Sequence, residues 1–98
     1  MKGVYRIPAK ILADLEAWKA GQHPYPFGSF VTAVLANDLM NAFAHADARN
    51  RDILADYAEY LYHEMPDRTG NPERDCWGSY EAVAGWIRSQ RAAKGIVA

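Results

Sequence analysis

Apolar residues recur at helical spacing along most of the chain. The first stripe, with steps of three and four residues, consists of Ile7, Ile11, Leu15 and Trp18. This spacing is typical of an amphipathic helix. Pro8 suits the first turn of such a helix, and Gly21 is placed to end it. The pattern therefore predicts a first helix between these two residues.

A second apolar stretch predicts one continuous helix from Ser29, a good N-cap residue, to about His45. Its apolar positions cover more than half of the helical circumference: Phe30, Val31, Val34, Leu35, Leu39, Ala42 and Phe43. A helix that is apolar over so wide an arc is expected to pack on two sides. We therefore expect this helix to be the central one of the fold.

Two more helices complete the pattern. The third covers roughly residues 50–65, capped by Asp47 or Asn50 and stopped by Pro66. Its inward positions are Leu54, Tyr57, Leu61 and Met65. The fourth begins at Ser79 and fades by Gly95, with Tyr80, Val83, Ala84 and Ile87 inward. Loops rich in proline and glycine cover residues 22–28 and 66–78. The sequence predicts an all-α fold, a compact bundle of about four helices in a single domain spanning residues 1–98.

The composition of the chain argues against several classes of function. The net charge of −1, from 11 basic and 12 acidic residues, argues against a phosphate-backbone binder and against an acidic nucleic-acid mimic. An apolar fraction of 50% is ordinary for a globular protein, and no apolar run is long enough for a membrane span or a signal peptide. Cys76 is the only cysteine, which excludes an internal disulfide and fits a reducing cytosol. We expect a cytoplasmic protein with no membrane contact and no direct nucleic-acid binding.

Asp38 falls inside the apolar arc of the second predicted helix, with Asn41 and His45 on the same side. A carboxylate removed from water without partners costs several kcal/mol, so we expect specific partners for it. One interpretation is a structural tie to the free N–H groups at another helix start, around residues 77–79. The other is that Asp38 holds a donor group of a ligand or a partner's arginine. We favour the tie, and either interpretation predicts that Asp38→Ala is harmful.

The patterns that would indicate catalysis or a metal are weak. His23, His45 and His63 are the only histidines, and no two of them share a helix turn. The chain has no glycine-rich phosphate loop and no nucleophile elbow. A lone cysteine beside Trp77 is more often a packing residue than a nucleophile. We therefore expect no enzyme activity, no catalytic residues, no bound metal and no cofactor.

Two loops have compositions suited to a planar, anionic ligand. The first offers His23, Tyr25, Phe27 and then Phe30, and the second offers Arg68, Arg74, Trp77 and the N–H groups at Ser79. Aromatic faces stack on bases, arginine matches phosphate oxygens, and a helix N-terminus accepts an anion. Together with Asp38, the candidate ligand-binding residues are Tyr25, Phe27, Asp38, Arg68, Arg74, Trp77 and Ser79. The alternative is that these are ordinary surface loops, with Tyr25 and Phe27 plugging the core.

Several sequence motifs resemble those of a family of small proteins that tailed phages and prophages encode. They are Gly28-x-Phe30-x-x-Ala33-Val34-Leu35-x-Asn37-Asp38-Leu39-x-x-Ala42, Ala46-Asp47-x-x-Asn50, Tyr60-x-Tyr62-His63-Glu64-Met65-Pro66 and Cys76-Trp77-Gly78-Ser79 with Val83 and Trp86. The resemblance spans roughly residues 7–90. It departs from the family at the loop 22–27, which is longer, and at His63, where asparagine is expected. The family has no assigned activity, so the resemblance implies a genomic context and no catalytic residues.

That context implies a phage accessory protein of the host cytosol that works by stoichiometric binding. The leading hypothesis is sequestration of a small nucleotide-like immune signal of the host, as a counter-defence. The alternative is a protein-binding inhibitor or regulator of a host factor, similar to an anti-CRISPR protein, with no small ligand. A third hypothesis is a component of the virion. The heavy aromatic load, with three tryptophans and six tyrosines, fits either a small core or a subunit interface, so a homo-oligomer is an open expectation.

Overall fold

A computed structural model describes residues 5–95 of the chain. Over that range the chain is helical, with no strand, and six α-helices follow one another: α1 (Ala9–Lys19), α2 (Ser29–Leu35), α3 (Leu39–His45), α4 (Ala48–Asp52), α5 (Leu54–Glu64) and α6 (Tyr80–Ala93). The predicted all-α class is confirmed. The predicted number of about four helices is too low, because the second and the third predicted helices are each divided in two.

The second predicted helix ends at Leu35 because the backbone of Asn37 turns left-handed, with φ of 61°. The Asn37 N–H donates to the carbonyl of Val34 at 3.1 Å, and the Asp38 N–H donates to that of Ala33 at 2.9 Å. This pair of bonds is a Schellman motif, which satisfies the last carbonyls of α2. Asparagine tolerates the left-handed region better than most residues. The chain then starts again as α3 in a new direction.

The third predicted helix is divided at Ile53. Asp47 caps α4 by accepting a hydrogen bond from the Asn50 N–H at 2.8 Å, so Asp47 and not Asn50 is the cap. Asn50 instead accepts a hydrogen bond from the buried Tyr57 hydroxyl at 2.8 Å. Ile53 leaves helical geometry, with φ of −114° and ψ of 21°, and α5 begins at the next residue.

The core combines the faces that the sequence indicated for the first and third helices with α2, in which Val31, Ala33, Val34 and Leu35 are all buried. Its largest fully buried side chains are Trp18, Tyr57, Tyr60, Leu15, Leu35 and Gln90. Gln90 is the one buried polar side chain among the described residues. Its carbonyl oxygen accepts the His23 N–H at 2.7 Å, and its amide nitrogen donates to the Trp86 carbonyl. These bonds allow a polar side chain to stay in the core.

The predicted inner face of α6 is wrong in part. Tyr80 and Ala84 are exposed, whereas Ala82 and Val83 are buried. Trp86 fixes the rotation of the helix, because its indole N–H donates to the carbonyl of Trp18 at 2.8 Å. The buried face of α6 therefore includes Ala82, Val83 and Gln90, and Tyr80 is directed toward the start of α3, where its hydroxyl bonds Asp38.

Candidate functional site

Asp38 lies at the start of α3, where its side chain is half-buried and its carboxylate is hydrogen-bonded. Its carboxylate accepts the Asn41 N–H at 3.1 Å, the Asn41 side-chain amide at 2.6 Å and the Tyr80 hydroxyl at 2.8 Å. The Tyr80 hydrogen bond, followed by those from Asn41, holds the pKa of Asp38 below its usual range. Asp38 is hydrogen-bonded at a helix start, as the first interpretation of the sequence expected, but its partners differ from the expected ones. The donors are the amide of its own helix and two side chains, not the backbone amides of residues 77–79.

The first predicted loop is divided between core and surface. Phe27 is half-buried, stacks on His23 with ring centroids 4.3 Å apart, and lies 5.5 Å from the Trp18 ring. Tyr25 is 55% exposed and lies beside Arg91 of α6, 6.0 Å from guanidinium carbon to ring centroid. Phe27 therefore acts as a plug for the core, as one interpretation of the sequence predicted, and Tyr25 does not.

The second predicted loop is held in place by its own side chains. The Trp77 indole N–H donates to the Pro66 carbonyl at 2.7 Å, and the Arg68 guanidinium lies 5.2 Å from the Trp77 ring centroid. The Asp75 carboxylate accepts the backbone N–H of Thr69 at 2.7 Å, together with further hydrogen bonds from this segment. These bonds lower the pKa of Asp75. The predicted loop is thus a defined turn structure.

Ser79 caps α6, since its hydroxyl accepts the Ala82 N–H at 3.0 Å. Arg68 and Ser79 line an open concavity of about 850 Å³ formed by residues 67–79. Phe27 lines a different concavity of about 320 Å³, together with Asn41 and Tyr80. Arg74 is exposed and lines neither of these two concavities. The predicted ligand-binding residues are therefore spread over separate surfaces instead of meeting around one cavity.

A feature that the sequence reasoning missed is the outer face of α3. Leu39 is 70% exposed, Met40 76% and Phe43 49%, although all three are large apolar residues. Ala42 is the only buried residue of this seven-residue helix. The helix also contains no aspartate, glutamate, lysine or arginine. A continuous helix through residue 38 would place Leu39 and Phe43 on the same apolar stripe as Val31 and Leu35, whereas the chain turns at Asn37 and both side chains are exposed.

An apolar groove adjoins this face between α3 and α5. Its volume is about 70 Å³, more than one water occupies and less than a benzene-sized cavity, so it has room for the end of one aliphatic side chain. The groove is lined by Ala33, Val34, Asn37, Asp38, Leu39, Ala42, Leu54, Tyr57, Ala58 and Leu61. We call the exposed side chains of Leu39, Met40 and Phe43 together with this groove the α3 surface.

Two exposed side chains lie beside the α3 surface. The guanidinium of Arg51 lies over the Phe43 ring, 4.8 Å from its centroid. On α5, Tyr62 is 82% exposed and follows the groove residue Ala58 by one helical turn. Asp38 lies in the groove lining, and its lowered pKa keeps the carboxylate ionised at neutral pH. The α3 surface is thus an apolar patch with one carboxylate in its groove and one cation beside it.

Cys76, the only thiol, lies in the core. It is buried, and this burial raises the pKa of the thiol, so it is protonated at neutral pH. Among residues 5–95, no cluster of three or more histidine, cysteine or acidic side chains is arranged to hold a metal ion. None of the helices in the same range is long and apolar enough to cross a bilayer.

No family model, curated protein or solved structure matches this chain.

Proposed function

We propose that this protein acts without catalysis, by stoichiometric binding, and that its partner is another protein docked on the α3 surface. The proposal rests on one observation, the contiguous exposure of Leu39, Met40 and Phe43 beside an apolar groove. Isolated apolar residues are normal on protein surfaces, but contiguous patches beside a groove mark interaction sites. Aromatic residues and methionine are also the types enriched in protein interfaces.

The energetics favour a covered surface. Complete burial of a leucine, methionine or phenylalanine side chain stabilises a structure by about 1.5–3 kcal/mol relative to exposure. Leu39 and Met40 have most of that gain still available, and Phe43 has about half. A partner that covered all three would gain several kcal/mol from these side chains, which is enough to offset a large part of the usual cost of association.

The biological setting of this binding follows from the resemblance to phage-encoded proteins. In that setting the protein is a counter-defence factor of the host cytosol that inhibits or regulates a host protein by occupying one of its surfaces. The resemblance indicates the biological setting, and the α3 surface is the proposed binding site for the host protein.

A second candidate function is binding of a nucleotide-like signal at the concavity beside Arg68. Its volume of about 850 Å³ lies within the range of small-molecule sites. Arg68 and the capped start of α6 at Ser79 would serve an anionic group. Asp67 and Asp75 line the same concavity and oppose an anion, which is why this function ranks second.

Site-specific photo-crosslinking tests the first proposal. A benzophenone amino acid replaces Met40 in the protein expressed in cells, and the matched control carries it at Glu73, an exposed loop position. We expect one dominant protein adduct of defined mass from position 40 and none from position 73. An absence of adducts at position 40, or the same adducts at both positions, would contradict docking on the α3 surface.

Calorimetry tests the second candidate. Cyclic dinucleotides and ADP-ribose are titrated into the wild-type protein and into Arg68→Ala. Binding that Arg68→Ala weakens at least about tenfold would favour the nucleotide function, because one charge-assisted contact is worth more than 1.4 kcal/mol. Absence of heat with the folded wild-type protein would eliminate these ligands.

A further inference from the structure

We infer that the side chain entering the groove of the α3 surface is a lysine of the partner protein, flanked in the partner by apolar residues. This inference rests on the proposed function and names the chemistry of the docking segment that the same surface selects. It follows from the apolar lining of the groove, from the single carboxylate in that lining, and from the hydrogen bonds that this carboxylate can still accept.

The groove has the shape of a site for an unbranched aliphatic chain. Its lining is mostly apolar, with Ala33 and Val34 from α2, Ala42 from α3, and Ala58 and Leu61 from α5. Its volume is about 70 Å³, whereas a benzene-sized ring needs about 150 Å³. An aromatic side chain is therefore excluded, and a single narrow chain of methylene groups is favoured.

Asp38 gives this apolar groove a negative charge. It is the only charged residue in the described lining, and it takes part in no ion pair among residues 5–95. Its side-chain partners, Asn41 and Tyr80, are uncharged. A purely aliphatic side chain that entered the groove would remove water from this carboxylate without replacing it, which is unfavourable. A cation at the tip of the entering side chain removes that penalty, so charge complementarity selects a basic residue.

The acceptor positions left on Asp38 favour lysine over arginine. A carboxylate offers about four lone-pair positions. Oδ2 already accepts the Asn41 side-chain amide and the Tyr80 hydroxyl, whereas Oδ1 accepts only the Asn41 N–H. The position that remains on Oδ1 suits the compact ammonium group of lysine, and the two parallel hydrogen bonds of an arginine fork have no place. Lysine also carries its charge on an unbranched aliphatic stem, which matches the groove.

The residues around the groove determine what flanks the lysine. Leu39, Met40 and Phe43 remain largely exposed beside it, and apolar side chains of the partner would cover them. Arg51 lies over the Phe43 ring and disfavours a second cation at that end of the surface, because like charges would meet there. The docking segment is thus basic at one position and apolar on either side of it.

Neutralisation of Asp38 tests the inference in the full chain that carries benzophenone at position 40. Asparagine caps a helix as well as aspartate does, so Asp38→Asn removes the charge and keeps an acceptor for the Asn41 N–H. The matched control is Asp47→Asn, because Asp47 also caps a helix, accepting the Asn50 N–H at 2.8 Å, but is not part of the groove lining. We expect Asp38→Asn to lower the yield of the position 40 adduct at least about fivefold and Asp47→Asn to leave it unchanged. Circular dichroism melting curves show whether both variants are folded.

A peptide titration tests the lysine itself. Tandem mass spectrometry of the adduct gives the crosslinked segment of the partner, which should contain a lysine within a few residues of the crosslink. A synthetic peptide that copies this segment is titrated with the wild-type protein by fluorescence anisotropy. Methionine in place of the lysine should weaken binding about tenfold, and arginine should weaken it less. The methionine peptide should lose little more when it meets Asp38→Asn, because both changes remove the same ion pair. If Asp38→Asn does not fold, the peptide series with the wild-type protein decides.

The outcomes separate the inference from the proposed function. A position 40 adduct whose yield Asp38→Asn leaves unchanged would overturn the inference and leave the proposed function standing. An adducted segment without lysine, or an arginine peptide that binds as tightly as the lysine peptide, would do the same. Position 40 without any protein adduct would overturn the proposed function, and the inference with it.

Discussion

Substitution of Asn37 by glycine and by alanine tests the break that exposes the α3 surface. Asn37 is exposed and has φ of 61°, so its side chain contributes little packing and its backbone conformation dominates the effect of a substitution. Glycine adopts the left-handed region without steric cost, whereas alanine does not. We therefore expect Asn37→Gly to be neutral or stabilising and Asn37→Ala to be destabilising.

The magnitude follows from the cost of a left-handed residue. An L-residue with a Cβ atom pays about 1–2 kcal/mol in this region, and asparagine recovers part of that cost through local hydrogen bonds. Asn37→Ala should therefore lower the free energy of unfolding by about 1 kcal/mol, and the alanine variant should lie about 1–2 kcal/mol below the glycine variant. In a domain of this size, 1 kcal/mol corresponds to a shift in Tm of about 4–8 °C.

Thermal and urea unfolding, monitored by circular dichroism, gives the Tm and the free energy of unfolding of both variants. The order of stability of the two variants is decisive, because a continuous helix from Ser29 to His45 would reverse it. In a helix interior, alanine is about 1 kcal/mol more favourable than glycine, so Asn37→Ala would then be the more stable variant. An alanine variant more stable than the glycine variant would refute the break at Asn37 and the exposure of α3 that depends on it.

Three further predictions concern the core and the loop 66–78. Tyr60→Phe removes a buried hydroxyl that donates to α1, so it should lower the free energy of unfolding by about 1 kcal/mol in urea titrations. Gly78→Ala should cost more stability than Gly70→Ala, although both glycines have positive φ, because only at Gly78 would the new Cβ collide with Arg68. Equal Tm values for these two alanine variants would contradict this reasoning. The lowered pKa of Asp75 stabilises the folded state above pH about 4, and this contribution is lost as the pH falls through the folded pKa. Asp75→Asn should therefore flatten the fall of Tm in acid, and an unchanged acid profile would contradict the role of Asp75.

Local signals in the sequence account for most of the helix ends. Gly21 ends α1 as predicted, because its positive φ allows the N–H groups of residues 21 and 22 to bond the last carbonyls of the helix. Ser79 starts α6 as predicted, by accepting the Ala82 N–H. An Asn-Asp pair such as Asn37-Asp38 can form a left-handed residue followed by an N-cap. Helical periodicity gives no sign of this break, because Leu39, Ala42 and Phe43 continue the apolar pattern across it.

The candidate surface could not be predicted because it depends on tertiary rotation of short elements. Tyr80 follows the apolar spacing of α6, yet it is exposed and bonds Asp38, since Trp86 fixes the helix by its bond to Trp18. Leu39 follows the apolar spacing of the second predicted helix and is exposed for a similar reason. Periodicity indicates which residues share a face, but packing decides whether that face is covered by the same chain.

Photo-crosslinking from α3 tests most directly whether the α3 surface docks a protein. The benzophenone amino acid is placed at Met40 and, in the matched control, at Glu73 of the protein expressed in cells. The account predicts one dominant protein adduct of defined mass from position 40 and none from position 73. Adding Leu39→Glu to the position 40 variant should abolish the adduct, because it places a charge in the apolar contact. An adduct that Leu39→Glu does not affect, or the same adducts from both positions, would contradict the account.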